Sequence, residues 1–596
     1  MTTRLARLSG LVVVIAMIAA SSIPAASGHS PGFKTSQDEM LDLGPGAPAG
    51  SAVEALITVG ETLPGGYRFE AIPDGISLRK RGEGSVDVLV NHETSTVPFP
   101  FSAPFGGAPP TEANQSDFDN AQLSRLILSR RSGGILHGSM AITSAENFQR
   151  FCSNYLATRK EGFERPILFT NEEAQDWVFR TGTAWPGPTL IAPGTAGAEQ
   201  SGVAVAYDTR NGERKAIYGM GRHNHENSVA LPDYDELVVL SSDDTFFTSQ
   251  LDPPYKPTWS QLYSYIADDT DDVLQDKGDL WAFVSDTPGY DDYFDFAPGD
   301  KTEITGHFIK VPKEVATGKN PATGKDWLST DFAGMLPPPS VSGAPPDGPQ
   351  WVLDQWGNAE NNTFGENVFR FVRLEDIAYD KRPGKSNIVY VADTGRASTG
   401  AAPAPNRSTN GRIWKFVFDP DTPTENVKLS ILVEGDDNEV AATDPVAAFN
   451  EIHQPDNLET ANGHLLAQED PSGNNNYDLP KEPNETGARI WLIDLNSLDP
   501  DASKTTVAEV DQSADEGPTD VDGDPGVTAP GRLGAWESSG IVDASSAFGD
   551  GAFLVTIQAH TLWVQKADGP DALPPAGKDF TFKREGGQLV LLRIPG

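Results

Sequence analysis

The chain has 596 residues and a single cysteine, Cys152. That excludes an internal disulfide framework and structural zinc sites built from several cysteines. Stability outside a reducing compartment must then come from the core and from bound ions. Basic residues are also scarce: 45 Lys and Arg stand against 85 Asp and Glu, for a formal charge of −40. Such a field disfavours nucleic acid and anionic membrane surfaces as partners and suits divalent cations. Long apolar runs are missing except at the N-terminus, so no membrane span is expected in a mature chain. There, Arg4 and Arg7 precede an apolar stretch from Leu11 to Ala20, and Ala25, Ala26 and Ser27 follow. This reads as a signal peptide over residues 1–28, without a twin-arginine pair, so secretion by the general route is expected. Helical periodicity is equally sparse; the best helical candidate runs from Ala145 to Arg159. The stretches ATGKN and ATGKD lack the rest of a phosphate loop.

What is abundant is short apolar runs with polar or acidic ends. VLVNHE ends at Glu93, ILFTNEE at Glu172 and Glu173, LVVLSSDD at Asp243 and Asp244, VYVADT on Asp393 and its threonine, LLAQED at Glu469 and Asp470, and LVTIQAH at Gln558 and His560. These ends recur at roughly 70–90 residues, with one gap of about 150 between Asp243 and Asp393, which fits decorated propeller blades of three or four strands. The expected fold is all-β, a six-bladed β-propeller with loop insertions. A flexible arm covers 29–52, and a single propeller domain covers 53–596 with an insertion at about 287–362. A β-sandwich is the structural alternative, but it does not set equivalent residues around one axis.

A second series of acids stands at strand starts: Glu226 in GRHNHENS, Glu375 in FVRLEDI, Asp456 in HQPDNL and Glu537 in WESSGI. In a propeller these positions meet at one mouth of the central channel. Convergent carboxylates repel unless a cation holds them, and hard oxygen ligands select Ca²⁺, or iron in a tighter geometry. The alternative is that each acid caps a turn. Arg373 in RLE and Arg222 in GRH are candidates for holding an anionic group, because an arginine fork matches phosphate bidentately; a salt bridge to a neighbouring acid is the other reading. His223 and His225 could ligate a metal or cap turns, and His92 and His560 could donate protons. DVDGDPG, from Asp520 to Gly526, resembles a calcium loop without its closing glutamate.

The order GRHNHENS, LVVLSSDD and LYSY, then FVRLEDIAYD and VYVADT, then PDNLET and GHLLAQED, resembles the PhoX-type bacterial alkaline phosphatases. The resemblance runs from about Val88 to His560. WESSGIVDAS through LVTIQAH is similar to the closing segment of the related phytase group. It implies a six-bladed propeller whose channel mouth holds iron and calcium and hydrolyses phosphate monoesters. It also implies Glu172, Glu226, Glu375 and Asp393 as metal ligands, with Asp456 and Glu469 at a second or calcium site; Glu173 and Glu537 complete the expected ligand set. In that family a cysteine before the paired glutamates bridges two irons, and here that place is Asn171. A neutral amide oxygen cannot bridge ferric ions as a thiolate does. Calcium is therefore the expected ion and iron is disfavoured. The expected partner is a small phosphorylated substrate; a lactonase-type calcium propeller and a non-catalytic calcium-binding propeller are the alternatives.

Overall fold

The computed structural model describes residues 31–93, 121–180, 191–245, 259–336, 339, 346–359, 362–395, 410–436, 451–470, 487–511, 536–565 and 580–595. The expected signal peptide and the loop Asp520–Gly526 lie outside these residues, and His560 outside those with described side chains.

Alternating apolar residues with Val, Ile, Leu and aromatic enrichment favour strands over helices, and the chain is all-β and propeller-like. The first sheet runs Pro73–Lys80, Ser85–His92, Gln122–Ser129, Ile135–Ile142 in simple up-and-down order. The second runs Phe151–Ala157, Ile167–Glu172, Ala204–Asp208, Arg214–Ile217. A nine-stranded sheet follows. It begins at His225–Leu231 and ends spatially at Leu374–Tyr379, its halves joined where Ile304–Lys310 pairs with Val427–Glu434. Another sheet starts at Pro455–Ala461 and the last at Glu537–Asp543. Ala52–Thr58 pairs with Phe580–Arg593, so an early strand and the last described strand share one sheet.

Three regions differ from expectation. The stretch read as the helix Ala145–Arg159 contains a strand, Phe151–Ala157, after a single short turn. Its Phe-Cys-Ser-Asn-Tyr-Leu run fits a pleated surface, and pairing with Ile167–Glu172 overrides the weak helical periodicity. The arm at 29–52 is docked where it is described: Leu41–Leu43 pairs with Thr505–Val510, and Met40 and Leu41 are buried. The region 287–362 is also more than loop. It supplies the strand Ile304–Lys310 and the helix Pro349–Trp356, every residue of which is buried.

Five apolar clusters lie between neighbouring sheets, and a sixth between the two halves of the nine-stranded sheet. One packs Leu89 and Leu123 against Leu168 and Val205; another packs Val229 and Leu240 against Val391, Trp414 and Phe416. Burying apolar area at about 25 cal/mol per Å² makes these interfaces the main source of stability. Inside them, the strands beginning at Pro73, Phe151, His225, Leu374, Pro455 and Glu537 touch in a closed circle. No helix among the described residues is long and apolar enough to cross a membrane.

Candidate metal centre

Each of those six strands breaks register with its neighbour near its start. Pairing jumps from Pro73 to Ile76, Phe151 to Asn154, His225 to Ser228, Leu374 to Ile377, Pro455 to Leu458 and Ser538 to Ile541. A bulge bends the strand and re-aims the extra side chain. The residues at the matched step are Asp74, Cys152, Glu226, Glu375, Asp456 and Ser539. A second series comes from the neighbouring strand's end: Glu93, Glu173, Asp244, Thr394 and Asp470. Their N–H groups donate to the carbonyls of Ile72, Arg150, Asn224, Arg373 and Gln454, each two residues before the matched step. Glu537 occupies that earlier step in the last sheet, facing Gln558.

These residues form one connected cage. Four groups have ligand atoms within 4.8 Å of one another: Asp74, Glu93 and Cys152; Cys152, Glu173 and Glu226; Glu226, Glu375 and Asp456; and Asp456, Asp470 and Glu537. Cys152, Glu226 and Asp456 each belong to two groups, so the groups run on without a break. Both carboxylate oxygens of Glu226 and Oδ1 of Asp456 are buried without a hydrogen-bond partner. Two unit charges 4.8 Å apart repel by about 3 kcal/mol at an effective dielectric near 20, and desolvation adds to that. Orphaned oxygens, one thiol and clustered carboxylates are the donor set that metal cations fit.

Burial, and then the neighbouring carboxylates, push the pKa values of Glu173, Glu226, Asp456 and Glu537 well above the ordinary range; burial also raises that of Asp74, where hydrogen bonds from Cys152 and Ser539 oppose it. Unfolded carboxyls titrate near pH 4. Above that pH the folded, metal-free chain binds more protons than the unfolded chain. Its stability is therefore greatest below the unfolded values and falls as pH rises through the raised ones. Denaturant titrations with a chelator should show stability falling as pH rises above the unfolded carboxyl range, and added divalent cation should flatten that slope.

Of the residues expected as ligands, the structure brings Glu173, Glu226, Glu375, Asp456 and Glu537 into the cage. Asp74, Glu93, Cys152 and Asp470 join them without having been anticipated as ligands. Glu172, Asp393 and Glu469 stand one step earlier on their strands and are engaged elsewhere. Glu172 is forked by Arg180 at 2.5 and 2.6 Å and accepts from the Gln149 N–H. Asp393 accepts from the N–H groups of Val372 and Arg373 and from Trp414 Nε1. Glu469 accepts from the His453 N–H, from Arg489 and from Trp491 Nε1. Each holds the backbone just before a cage strand and so positions the cage residue.

Asn171 is not in the cage either. Its Nδ2 donates to the Ser153 and Glu226 carbonyls, and its Oδ1 accepts from Ser228 Oγ. It braces two strands, while Cys152 sits among the acids with Sγ 2.8 Å from Asp74 Oδ2. The objection to iron based on Asn171 therefore loses its ground.

Arg373 lies at the cage rim, its side chain 15% exposed. Nε and Nη2 donate to the two oxygens of Asp244 at 2.8 Å each, and Nη2 is 3.0 Å from Glu375. Arg150 holds the matched place before Cys152, is paired with Asp176 at 3.1 Å, and feels the charges of Glu173 and Glu93. Ile72, Arg150 and Gln454, three residues at this matched place, have positive φ of 42°, 32° and 49°. Such backbone strain concentrates at functional sites. Arg222 belongs elsewhere: it is fully buried, bonded to the Gln200 carbonyl and paired with Asp326 at 3.3 Å. It ties the strand entry to the 287–362 region. His92 is buried beside Ser124 Oγ at 2.7 Å, its pKa pushed down to about 3 by burial. His225 is likewise held neutral, with Nδ1 2.8 Å from Ser241 Oγ.

Comparison with known proteins adds the following. No curated protein matches the sequence. Among solved structures, the chain is similar to an acylaminoacyl peptidase from Pyrococcus horikoshii at 7% identity and a TM-score of 0.24, over 71% of this chain and 45% of that one. It is also similar to a family 43 arabinoxylan arabinofuranohydrolase from Bacillus subtilis at 9% identity and a TM-score of 0.26, over 88% and 92%. The chain thus spans under half of the peptidase, and likenesses this weak carry no argument. Residues 203–485 match the model of the alkaline phosphatase PhoX family. That segment is narrower than the resemblance read from motifs, and it holds Glu226, Asp244, Arg373, Glu375, Asp456 and Asp470. Over residues 203–485 the chain is similar to the alkaline phosphatase PhoX family, a likeness that points to a phosphatase hydrolase.

Proposed function

We propose that the chain is an exported, metal-dependent hydrolase of phosphate monoesters acting at the mouth of the carboxylate cage. The observation that carries this reading is the convergence of eight carboxylates and one thiol, with Glu226 wholly unpartnered, beneath the arginine fork of Arg373. A six-bladed propeller is the architecture we read behind it, with the nine-stranded sheet counted as two blades joined at Ile304–Lys310. The closed circle of six strands and the six apolar clusters, one of them between the halves of the nine-stranded sheet, support that count. Export rests on the N-terminal stretch Arg4–Ser27.

Glu226, Glu375, Asp456 and Cys152 are the residues that would hold cations here, with Asp74, Glu93, Glu173, Asp470 and Glu537 completing the shell. The chemistry that bound cations supply in such a cage is charge compensation for phosphate oxygens and a bound water of lowered pKa. Arg373 orients the phosphate. Asp244 and Glu375 fix its guanidinium, so the fork loses little freedom when an anion arrives. Arg150, two residues before Cys152, offers a second positive group on the same rim. Without these arginines an acidic rim would repel the substrate.

Hydrolysis of p-nitrophenyl phosphate, abolished by a chelator and restored by Ca²⁺ alone or with Fe³⁺, is the expected result. A fully active chelated enzyme would overturn the reading. Arg373→Ala should lower kcat/KM by about 10²–10³, mostly through KM, with the circular dichroism unchanged. Arg373→Lys should recover only part of that, because a point charge does not reproduce the fork.

A further inference from the structure

A second set of buried oxygens lies beside the cage, where the helix Pro349–Trp356 meets the end of the strand Leu237–Asp243. Asp243 is 0% exposed. Its Oδ1 accepts from the Thr245 N–H at 3.1 Å and from Thr245 Oγ1 at 2.6 Å, and its Oδ2 has no partner. Thr245 Oγ1 in turn accepts from Gln350 Nε2, leaving Gln350 Oε1 without a partner. Asp354 lies one helical turn from Gln350 and so on the same face. It is 0% exposed, and neither of its oxygens has a hydrogen-bond partner. Asp243 and Asp354 lie within electrostatic reach of each other and of Tyr263, and the Gln350–Thr245–Asp243 chain of hydrogen bonds joins the helix face that carries Asp354 to the strand end.

No lysine or arginine among the described residues is ion-paired with either acid. His223 Nδ1 is 3.7 Å from Asp243, but its ring is packed between His225 and Tyr263 and burial keeps it neutral. Two isolated carboxylates in a dry interior cost several kcal/mol each unless something compensates them. Four unpartnered oxygens, two acidic residues and one neutral amide carbonyl make a hard, charge-balanced donor set for a divalent ion.

We infer that Asp243 Oδ2, Asp354 and Gln350 Oε1 bind a Ca²⁺ ion, distinct from the cage, that fastens the Pro349–Trp356 helix to the strand end. Asp244, the next residue, holds Arg373, so the ion fixes the phosphate-orienting fork from behind. Asp243, Gln350 and Asp354 are positioning residues in this role. The inference does not rest on phosphate hydrolysis.

Elemental analysis of the full chain, equilibrated with Ca²⁺ and freed of excess, tests it. Asp354→Asn should carry about one calcium fewer per chain than wild type. Glu226→Gln should lose cage metal and keep this ion, which separates the two sites. An unchanged calcium content in Asp354→Asn would overturn the inference. Should that variant fail to fold, wild-type crystals soaked in Mn²⁺ decide the matter. An anomalous peak among Asp243, Gln350 and Asp354 supports the ion. Its absence there means that the two carboxyls share a proton, and the inference falls.

Discussion

Glu226→Gln should reduce kcat/KM for p-nitrophenyl phosphate by about 10³-fold or more while leaving the fold intact. Glu226 is the best single probe because it belongs to two of the four ligand groups and neither oxygen has a protein partner. Glutamine keeps its shape and removes its charge, so the change reads the carboxylate alone. Stability should move the other way in chelator. The wild-type cage then holds mutually repelling carboxyls, and relieving one should raise metal-free stability by about 1–3 kcal/mol. With metal present the variant should gain less from added cation than wild type. A loss of activity combined with a gain of metal-free stability is hard to obtain from a capping residue, whose loss would destabilise both states. Unchanged activity would remove the cage as the reaction centre.

Much of the cage was legible because its supporting pattern is local. Short apolar runs with acidic ends mark the strands, and ENS, EDI and DNL mark the bulged starts that deliver Glu226, Glu375 and Asp456. Four things were not legible. First, side chains alternate faces along a strand, so a shift of one residue sends an acid to a different environment. Sequence alone did not separate Glu172 from Glu173, Asp243 from Asp244, or Glu469 from Asp470. A weak signal existed for two of these strands: RIW at Arg412 and Arg489 places Trp414 and Trp491 where their indoles grip Asp393 and Glu469. Second, Glu537 enters the cage from an earlier step than Glu226 does, and Ser539 holds the matched place, bonded to Asp74 at 2.5 Å. Only the register with Gln558 reveals that. Third, Cys152 was hidden by the helical reading of Ala145–Arg159. Once Phe151–Ala157 is a strand, Cys152 falls on the same step as Glu226. The second oxygen cluster was invisible because Asp354 is brought to Asp243 by a helix more than 100 residues away in the chain.

The second large effect is expected at Cys152, and it decides which ions the cage uses. Burial and the charges of Asp74, Glu226, Glu173 and Glu93 hold the Cys152 thiol well above its ordinary pKa. A thiolate at that spot is sustainable only against a strongly polarising cation, and sulfur selects iron or another thiophilic metal over calcium. In the PhoX-type resemblance a cysteine bridges two irons, and Cys152 is the one cysteine of this chain. It shares one ligand group with Asp74 and Glu93 and another with Glu173 and Glu226, the placement of a bridging donor. Iron-loaded wild type should show a visible thiolate-to-metal absorption band. Cys152→Ser should lose the band and most of the iron, keep its calcium, and fall in kcat by about 10²-fold or more. Serine preserves size and can still donate to Asp74, so a packing role predicts near-wild-type activity and metal content. If Cys152→Ser retains both, the thiol is only a small buried side chain, and the cage works with oxygen ligands and calcium.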